Sequence, residues 1–156
     1  MPSLVKVAEL AILLCPFDGT IIDGGGLRTQ AQAETNAAAG TGIANSRHLR
    51  QSDGWGHAID LIALTKGKID WNNLPAFKSM AHAVKIASAM LVTPIRQGCD
   101  WNMNGIMGEA GTKEWDWPHF EDPLPHLLKK AESEMLRFRE ELSREGWDLT
   151  PPNLAA

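Results

Sequence analysis

The sequence predicts a single α+β domain. Its 156 residues, of which 44% are hydrophobic and 22% charged, suffice to fill one core and are too apolar for a disordered chain. The chain contains both segments in which apolar residues recur at helical spacing and short apolar runs bounded by glycine or proline. This combination is typical of a domain that mixes helices and strands.

Four segments have helical patterns. The second is rich in alanine and glutamine and stops at a glycine suited to a helix C-cap, and the third has a proline near its first turn. The fourth carries a leucine-rich stripe, which suits a membrane, a partner or its own domain, and we expect it to pack on its own domain. The expected helices cover residues 3–14, 29–39, 77 to a stop at Thr93 and Pro94, and 123–145.

Four short runs favour strands, over residues 17–22, 57–64, 92–96 and 115–120. The second run contains one charged residue, Asp60, and an acid inside an apolar strand needs a specific role. Three glycines, Gly24 to Gly26, follow the first run. Neither a GxGxxG pattern nor a Gly-Lys-Ser/Thr sequence accompanies them, so we expect a tight turn rather than a phosphate site.

Charge and cysteine content exclude several classes of protein. The net charge of −4 and the lack of a strongly basic segment argue against a nucleic-acid binder. Two cysteines, Cys15 and Cys99, are too few for a disulfide framework or a cysteine-based zinc site, so we expect reduced, buried thiols. Glu9 interrupts the apolar N-terminal run, and no run reaches the ~20 residues of a membrane span, so we expect no signal peptide and no membrane insertion.

Four residues carry side chains that zinc accepts, namely His48, Asp60, Asp116 and His119. A hydrolytic zinc site uses three protein ligands, drawn from imidazole nitrogens and carboxylate oxygens, and leaves a fourth position open. The chain has five histidines and 19 acidic residues, so many such triplets exist and composition alone does not select the ligands.

Sequence around these residues resembles the motifs of one family, the zinc peptidoglycan peptidases. This family comprises D-alanyl-D-alanine carboxypeptidases and phage L-alanyl-D-glutamate endopeptidases, which share a fold with the hedgehog signalling domain. Its signature is Ser-x-His-x-x-Gly-x-Ala-x-Asp followed by Asp/Glu-x-x-His. The matching segments are Asp23-Gly24-Gly25-Gly26-Leu27-Arg28-Thr29, Ser46-Arg47-His48 with Gly56-His57-Ala58-Ile59-Asp60-Leu61, Ile95-Arg96-Gln97-Gly98-Cys99-Asp100-Trp101, and Asp116-Trp117-Pro118-His119-Phe120-Glu121.

The resemblance implies a fold and a metal centre. The fold is a small, mostly antiparallel sheet covered on one side by helices, and the cofactor is Zn²⁺. The implied ligands are His48, Asp60 and His119. Asp116 is implied as the general base that takes a proton from the attacking water, with Glu121 as the next candidate for that role.

The resemblance also implies residues that meet the substrate. Arg28 lies near the metal cleft in such enzymes, where a guanidinium suits a substrate carboxylate or an oxyanion. Ser46 either hydrogen-bonds the substrate or the residues that hold the zinc, or has a plain role in a turn. Trp117, together with Trp101 and Trp115, offers a flat surface to a sugar or a peptide, or else belongs to the core.

The first motif departs from the family pattern. Family members space the first histidine and the aspartate seven positions apart, whereas His48 and Asp60 are twelve apart, with residues 50–55 as the inserted stretch. His57 is therefore an alternative first ligand. Residues three apart on a strand point to opposite faces, so we expect His57 to point away from Asp60 and His48 to be the ligand.

We expect a phage endolysin that hydrolyses an amide bond in the peptide stem of bacterial peptidoglycan, with L-alanyl-D-glutamate the expected bond, and that acts as a monomer. It would stay in the host cytoplasm until a holin releases it to the periplasm or cell wall. Residues 1–122 would form the peptidase domain, 123–146 a helix packed on it, and 147–156 a frayed tail. Three alternatives are a virion-associated wall-degrading peptidase, a D-alanyl-D-alanine carboxypeptidase, and a non-catalytic zinc-binding scaffold whose cleft the insertion blocks.

Overall fold

The computed structural model describes residues 2–152, so the last four residues of the expected tail lie outside the described part. Helices and short strands confirm the α+β class. In chain order the elements are α1 (Pro2–Leu14), β1 (Gly19–Ile21), α2 (Gln30–Ala38), β2 (Ala58–Thr65), β3 (Lys68–Ile69), α3 (Leu74–Leu91), β4 (Arg96–Gln97), β5 (His119–Glu121) and α4 (Leu128–Arg144).

The sheet has the strand order β1-β2-β5-β4, β3 pairs with β2, and all of these pairings are antiparallel. The antiparallel sheet implied by the resemblance is thereby confirmed. Because side chains alternate along a strand, β2 directs Ile59 and Leu61 into the apolar core and Asp60 to the opposite face. The sheet therefore separates the core from a face that carries polar groups.

The core lies on the helical side of the sheet. α1 packs on α3, α3 packs on β2, and α4 packs on α3. The largest buried side chains include Phe120 of β5, Leu4 and Leu10 of α1, and Met80 of α3. α4 contributes Leu142 to the same cluster. Since α1, α3 and α4 occupy this side, the opposite face of the sheet is left for a site.

Local chemistry explains where α2 and α3 begin. Thr29 caps α2 through a capping box with Gln32, in which each side chain accepts a hydrogen bond from the other's backbone. The Asn73 side chain accepts a hydrogen bond from the backbone of Ala76 at the start of α3, and a proline occupies the first turn, as the sequence predicted.

Two expected strands have different bounds in the structure. The strand expected over 92–96 begins only at Arg96, because Val92 adopts a left-handed conformation (φ 50°) that ends α3. The extended segment expected over 115–120 is wrong for its first half. The backbone N–H of Trp117 donates to the carbonyl of Trp115 at 3.0 Å, which makes a turn, and β5 starts at His119.

The C-terminal helix also starts later than expected. Pro125 disfavours helical backbone at Leu124, and α4 begins at Leu128 rather than at residue 123. Leu149, in the tail expected to fray, packs against the core. Within residues 2–152, the helices are all too short or too polar to cross a membrane.

Both cysteines are free thiols. Cys99 is fully buried, as expected, whereas Cys15 is only half-buried.

Candidate metal centre

Strand pairing brings two of the expected ligands together. Asp60 of β2 lies directly opposite His119 of β5, so both side chains emerge on the polar face of the sheet. The third residue, His48, comes from the loop before β2, and a bridge between Arg28 and Leu49 joins this loop to the segment after β1. Residues far apart in sequence therefore meet at one point on the sheet.

The three side chains present their ligand atoms in a compact triangle. The distance from His48 Nε2 to His119 Nδ1 is 3.3 Å, and that from His48 Nε2 to Asp60 Oδ1 is also 3.3 Å. The third edge, from His119 Nδ1 to Asp60 Oδ1, is 3.1 Å. We call His48, Asp60 and His119 the metal cluster. Their ligand atoms lie close enough together to hold one metal ion.

The triangle suits zinc. Tetrahedral zinc with ligand bonds of about 2.0–2.1 Å places neighbouring ligand atoms about 3.3 Å apart, and the observed edges agree with that spacing. Two imidazoles and one carboxylate are also a ligand set that catalytic zinc sites use. The residues present therefore fit the metal that the resemblance implies.

Both imidazoles are held by their second nitrogen. His48 Nδ1 lies 2.9 Å from the carbonyl oxygen of Gly26, which can only accept, so Nδ1 carries the proton and Nε2 is left as a lone pair for a metal. His119 Nε2 lies 3.2 Å from Glu121 Oε2, and the other oxygen of Glu121 accepts from Arg96 at 3.0 Å. Such partners orient ligand imidazoles and raise their basicity.

The electrostatics of the metal cluster favour a cation. Burial alone would raise the pKa of Asp60, but hydrogen bonds and charges from His119 and His48 outweigh it and hold that pKa well below its ordinary value. Burial alone would lower the pKa of His119, but its bonds with Asp60 and Glu121 prevail and raise the pKa to about 9. The carboxylates that stabilise positive charge on His119 would equally stabilise a metal ion.

Asp116 lies in the same cleft but outside the metal cluster. Burial raises the pKa of its carboxyl group above the ordinary value, opposed by the charge of nearby His119. The backbone of Gly98 lies close to the segment that carries Asp116 and His119. The N–H of Gly98 donates to the carbonyl of His119 at 2.8 Å. A Cβ at Gly98 would lie 2.3 Å from the carbonyl oxygen of Asp116, so only glycine fits there.

Arg28 and Ser46 also line the cleft. The Arg28 guanidinium pairs with Asp60 Oδ2 at 2.5 Å and donates to the carbonyl of Gly24. Ser46 is buried, and its Oγ accepts a hydrogen bond from the backbone N–H of His48 at 3.3 Å. Both residues thus touch a member of the metal cluster as well as the cleft.

His57 points away from the metal cluster. Its Nε2 lies 2.9 Å from Asp53, and its Nδ1 lies 3.2 Å from Asp122. We call Asp53, His57 and Asp122 the loop cluster. Because different nitrogens of His57 face the two carboxylates, the three residues do not converge on one ion, and His57 does not take part in the metal cluster.

The cleft has a volume of about 810 Å³, and its walls come from α2, the loops around it and the segment before β5. The insertion at residues 50–55 contributes nothing to the described lining, so it does not block the cleft. Trp117 does not line it either: its ring packs against the core near Lys78. The tryptophans that do line the cleft are Trp71, Trp101 and Trp115.

Sequence reasoning missed three contributors to the site. Trp71 belongs to none of the four motifs, and no pattern in the sequence predicts the supporting roles of the Gly26 carbonyl and of Gly98. Glu121 was considered only as a substitute base. A signal for its actual contact was present, because residues two apart on a strand share a face, and Glu121 follows His119 by two.

Comparisons with known proteins identify the family of this chain. The sequence model of the family Phage L-alanyl-D-glutamate peptidase matches residues 1–122. L-alanyl-D-glutamate peptidase of Escherichia phage T5 is 41% identical over 108 residues, which cover 67% of this chain and 74% of the relative. The crystal structure of the Serratia marcescens L-Ala D-Glu endopeptidase ChiX matches with a TM-score of 0.63 and 26% identity, over 82% of this chain and 84% of that one. The chain therefore belongs to the phage L-alanyl-D-glutamate peptidase family.

Proposed function

We propose that this protein is a zinc-dependent peptidase that hydrolyses the L-alanyl-D-glutamate bond in the peptide stem of bacterial peptidoglycan. The observation that carries the proposal is the triangle of ligand atoms, 3.1–3.3 Å on each edge, which lines a cleft wide enough for a peptide. Family membership supports the choice of bond, since the relatives from phage T5 and Serratia marcescens are both named for it.

His48, Asp60 and His119 would hold the zinc ion, which when bound supplies a Lewis acid that polarises the scissile carbonyl and lowers the pKa of water. The Gly26 carbonyl and Glu121 orient the two imidazoles from behind. This support keeps the lone pairs directed at one point, so the site needs little rearrangement to bind its cofactor.

Asp116 moves the proton. In hydrolysis the oxygen of water bonds to the alanyl carbonyl carbon, the carbon–nitrogen bond breaks, and the leaving amine needs a proton. The Asp116 carboxylate takes a proton from the attacking water and delivers it to the leaving nitrogen of D-glutamate. Burial raises the pKa of Asp116 toward neutral pH. A group that both accepts and donates a proton is most effective when its pKa lies near the working pH.

Arg28 supplies positive charge beside the reacting carbonyl. Its guanidinium borders the cleft and is fixed by Asp60 and the Gly24 carbonyl, so it is already oriented before substrate binds. A fixed cation near the carbonyl stabilises the negative charge that develops on its oxygen. Ser46 supports the same region by holding the backbone of His48.

Digestion of purified peptidoglycan tests this proposal. The products are separated, and their new termini are identified by mass spectrometry. Free N-terminal D-glutamate is the expected result. Released D-alanine would instead identify a D-alanyl-D-alanine carboxypeptidase, and zinc binding without any wall turnover would identify a non-catalytic scaffold.

We further propose that the protein acts as an endolysin and reaches the wall from the host cytoplasm after a holin opens the membrane. Membership of a phage peptidase family supports this assignment. Infected cells should hold the protein in the cytoplasmic fraction before lysis. Recovery of the protein in purified phage particles would instead support a role as a virion-carried wall-degrading peptidase.

A further inference from the structure

Two strongly exposed tryptophans stand on the walls of the cleft. Trp71 is 61% exposed and Trp115 is 71% exposed, and both line the same cavity as the metal cluster. Concave sites lined by aromatic side chains are typical of ligand binding. Neither ring takes part in the proposed hydrolysis, so their place on the walls of the cleft is left to explain.

Trp71 is held in place rather than left to move. It belongs to the turn before α3, where the backbone N–H of Asn73 donates to the carbonyl of Asp70 at 3.0 Å. Its ring stacks on that of Phe77, with 5.8 Å between the centroids and 22° between the planes. Phe77 is buried, so the indole is supported from the core side and presents a fixed, flat surface.

Trp115 lies beside the reacting groups. It precedes Asp116 by one residue, in the segment that leads into β5. Trp101, the third tryptophan of the cleft, places its ring centroid 5.2 Å from that of His119. Trp71, Trp101 and Trp115 thus line the cleft that contains the metal cluster.

The chemistry of the substrate says what must lie on those walls. In peptidoglycan the stem L-alanine is joined directly to the lactyl group of N-acetylmuramic acid, so a single residue separates the sugar from the L-alanyl-D-glutamate bond. One residue spans at most about 3.6 Å. When that bond lies at the metal cluster, the glycan cannot avoid the adjacent part of the cleft.

We propose that Trp71 and Trp115 form a binding surface for the N-acetylhexosamine units of the glycan strand, an inference that rests on the proposed function. The apolar C–H face of a pyranose ring packs against a flat indole, which combines a large contact area with an N–H donor. The protein thus recognises the sugar-linked stem and favours it over a free peptide.

Two synthetic substrates with the same scissile bond test this proposal. One is the N-acetylglucosaminyl-N-acetylmuramyl tetrapeptide, and the other is the tetrapeptide alone. The readout is the ratio of kcat/KM for the sugar-linked substrate to kcat/KM for the free peptide. Wild type should give a ratio of about ten or more, and Trp71→Ala and Trp115→Ala should each lower the ratio severalfold, with the larger part of the change in KM.

Trp147→Ala is the matched control, because Trp147 is also exposed, at 45%, but follows α4 and is not among the residues that line the cleft. It should leave the ratio unchanged. A wild-type ratio near one would overturn the glycan surface, as would Trp71 and Trp115 variants that lose activity equally on both substrates. Failure of wild type to cleave either substrate would instead reject the proposed peptidase function.

Discussion

Two clusters of histidine and carboxylate side chains meet near the start of β2. Their central residues are three positions apart: His57 immediately precedes β2, and Asp60 lies within it. The metal cluster is centred on Asp60, and the loop cluster is centred on His57. Both contain charged groups within about 3 Å of an imidazole. In the metal cluster the three ligand atoms face one another, whereas in the loop cluster one imidazole faces its two carboxylates with opposite nitrogens.

The difference shows that the types of residue present do not define a metal site. A site requires that their ligand atoms converge on one point. In the metal cluster, each imidazole has its second nitrogen occupied by a fixed acceptor. The loop cluster instead joins the insertion to the segment after β5, which is a structural role.

Asp116→Asn should separate proton transfer from metal binding. The amide cannot take a proton from water, so turnover should fall by ~10²–10⁴ while zinc content and fold are kept. In wild type the rate should fall as the pH decreases through the raised pKa of Asp116, because only the ionised carboxylate acts as a base. Steady-state kinetics and zinc analysis of the same preparation measure both effects.

Asp122→Asn is the matched control, since Asp122 is a buried acid of the loop cluster. It should keep near-normal turnover. Near-normal turnover of Asp116→Asn would require another base, and loss of zinc from that variant would make Asp116 a ligand. Either result would contradict the mechanism.

Gly98→Ala should reduce activity through geometry alone. The added Cβ meets the backbone carbonyl of Asp116 and the Cβ of His119, so the segment that carries these two residues must shift. A displacement of about 1 Å near reacting groups can cost ~10²-fold in rate. The control is Gly26→Ala, where the nearest atom to an added Cβ is a methyl of Ile21 at 3.9 Å, and kcat/KM should change far less.

A Gly98→Ala enzyme with full activity would show that the close approach is not required. Circular dichroism and thermal unfolding distinguish a displaced segment from a chain that fails to fold.

Glu121→Gln should weaken the metal site without abolishing it. The variant loses the charged partner of His119 Nε2 and the ion pair with Arg96, and such partners are worth ~10–100-fold in metal affinity. Competition with a chelating dye measures this affinity. Unchanged zinc affinity would mean that Glu121 only links β5 to β4.

The residues of the metal cluster could be predicted because their motifs keep their order, even though His48 and Asp60 are too far apart for the family pattern. The structure explains why the insertion is tolerated. Its backbone turns back on itself, with the N–H of Gln51 donating to the carbonyl of Trp55 at 2.8 Å. His57 N–H then donates to the carbonyl of Arg47 at 2.8 Å, so the ends of the loop meet and the ligands keep their places.

Other features could not be predicted because they depend on contacts between distant segments. Nothing in the sequence around Gly26 indicates that its carbonyl will hold His48. β3 is only two residues long, too short to leave a strand pattern in the sequence. Trp117 was predicted to meet the substrate because it lies within a motif. The structure instead has a turn at Trp115, with the Trp117 ring packed against the core and Trp115 exposed. The division of the chain at residue 122 and the monomeric state stay predictions.

Zinc content of two histidine variants distinguishes His48 from His57 as the first ligand. After dialysis against zinc and then buffer, bound zinc per chain is measured by atomic absorption for wild type, His48→Ala and His57→Ala, with circular dichroism to confirm folding. Wild type and His57→Ala should each hold about one zinc, whereas a folded His48→Ala should hold almost none, since two ligands remain. Zinc retained by His48→Ala and lost by His57→Ala would contradict the account and make His57 the first ligand in place of His48.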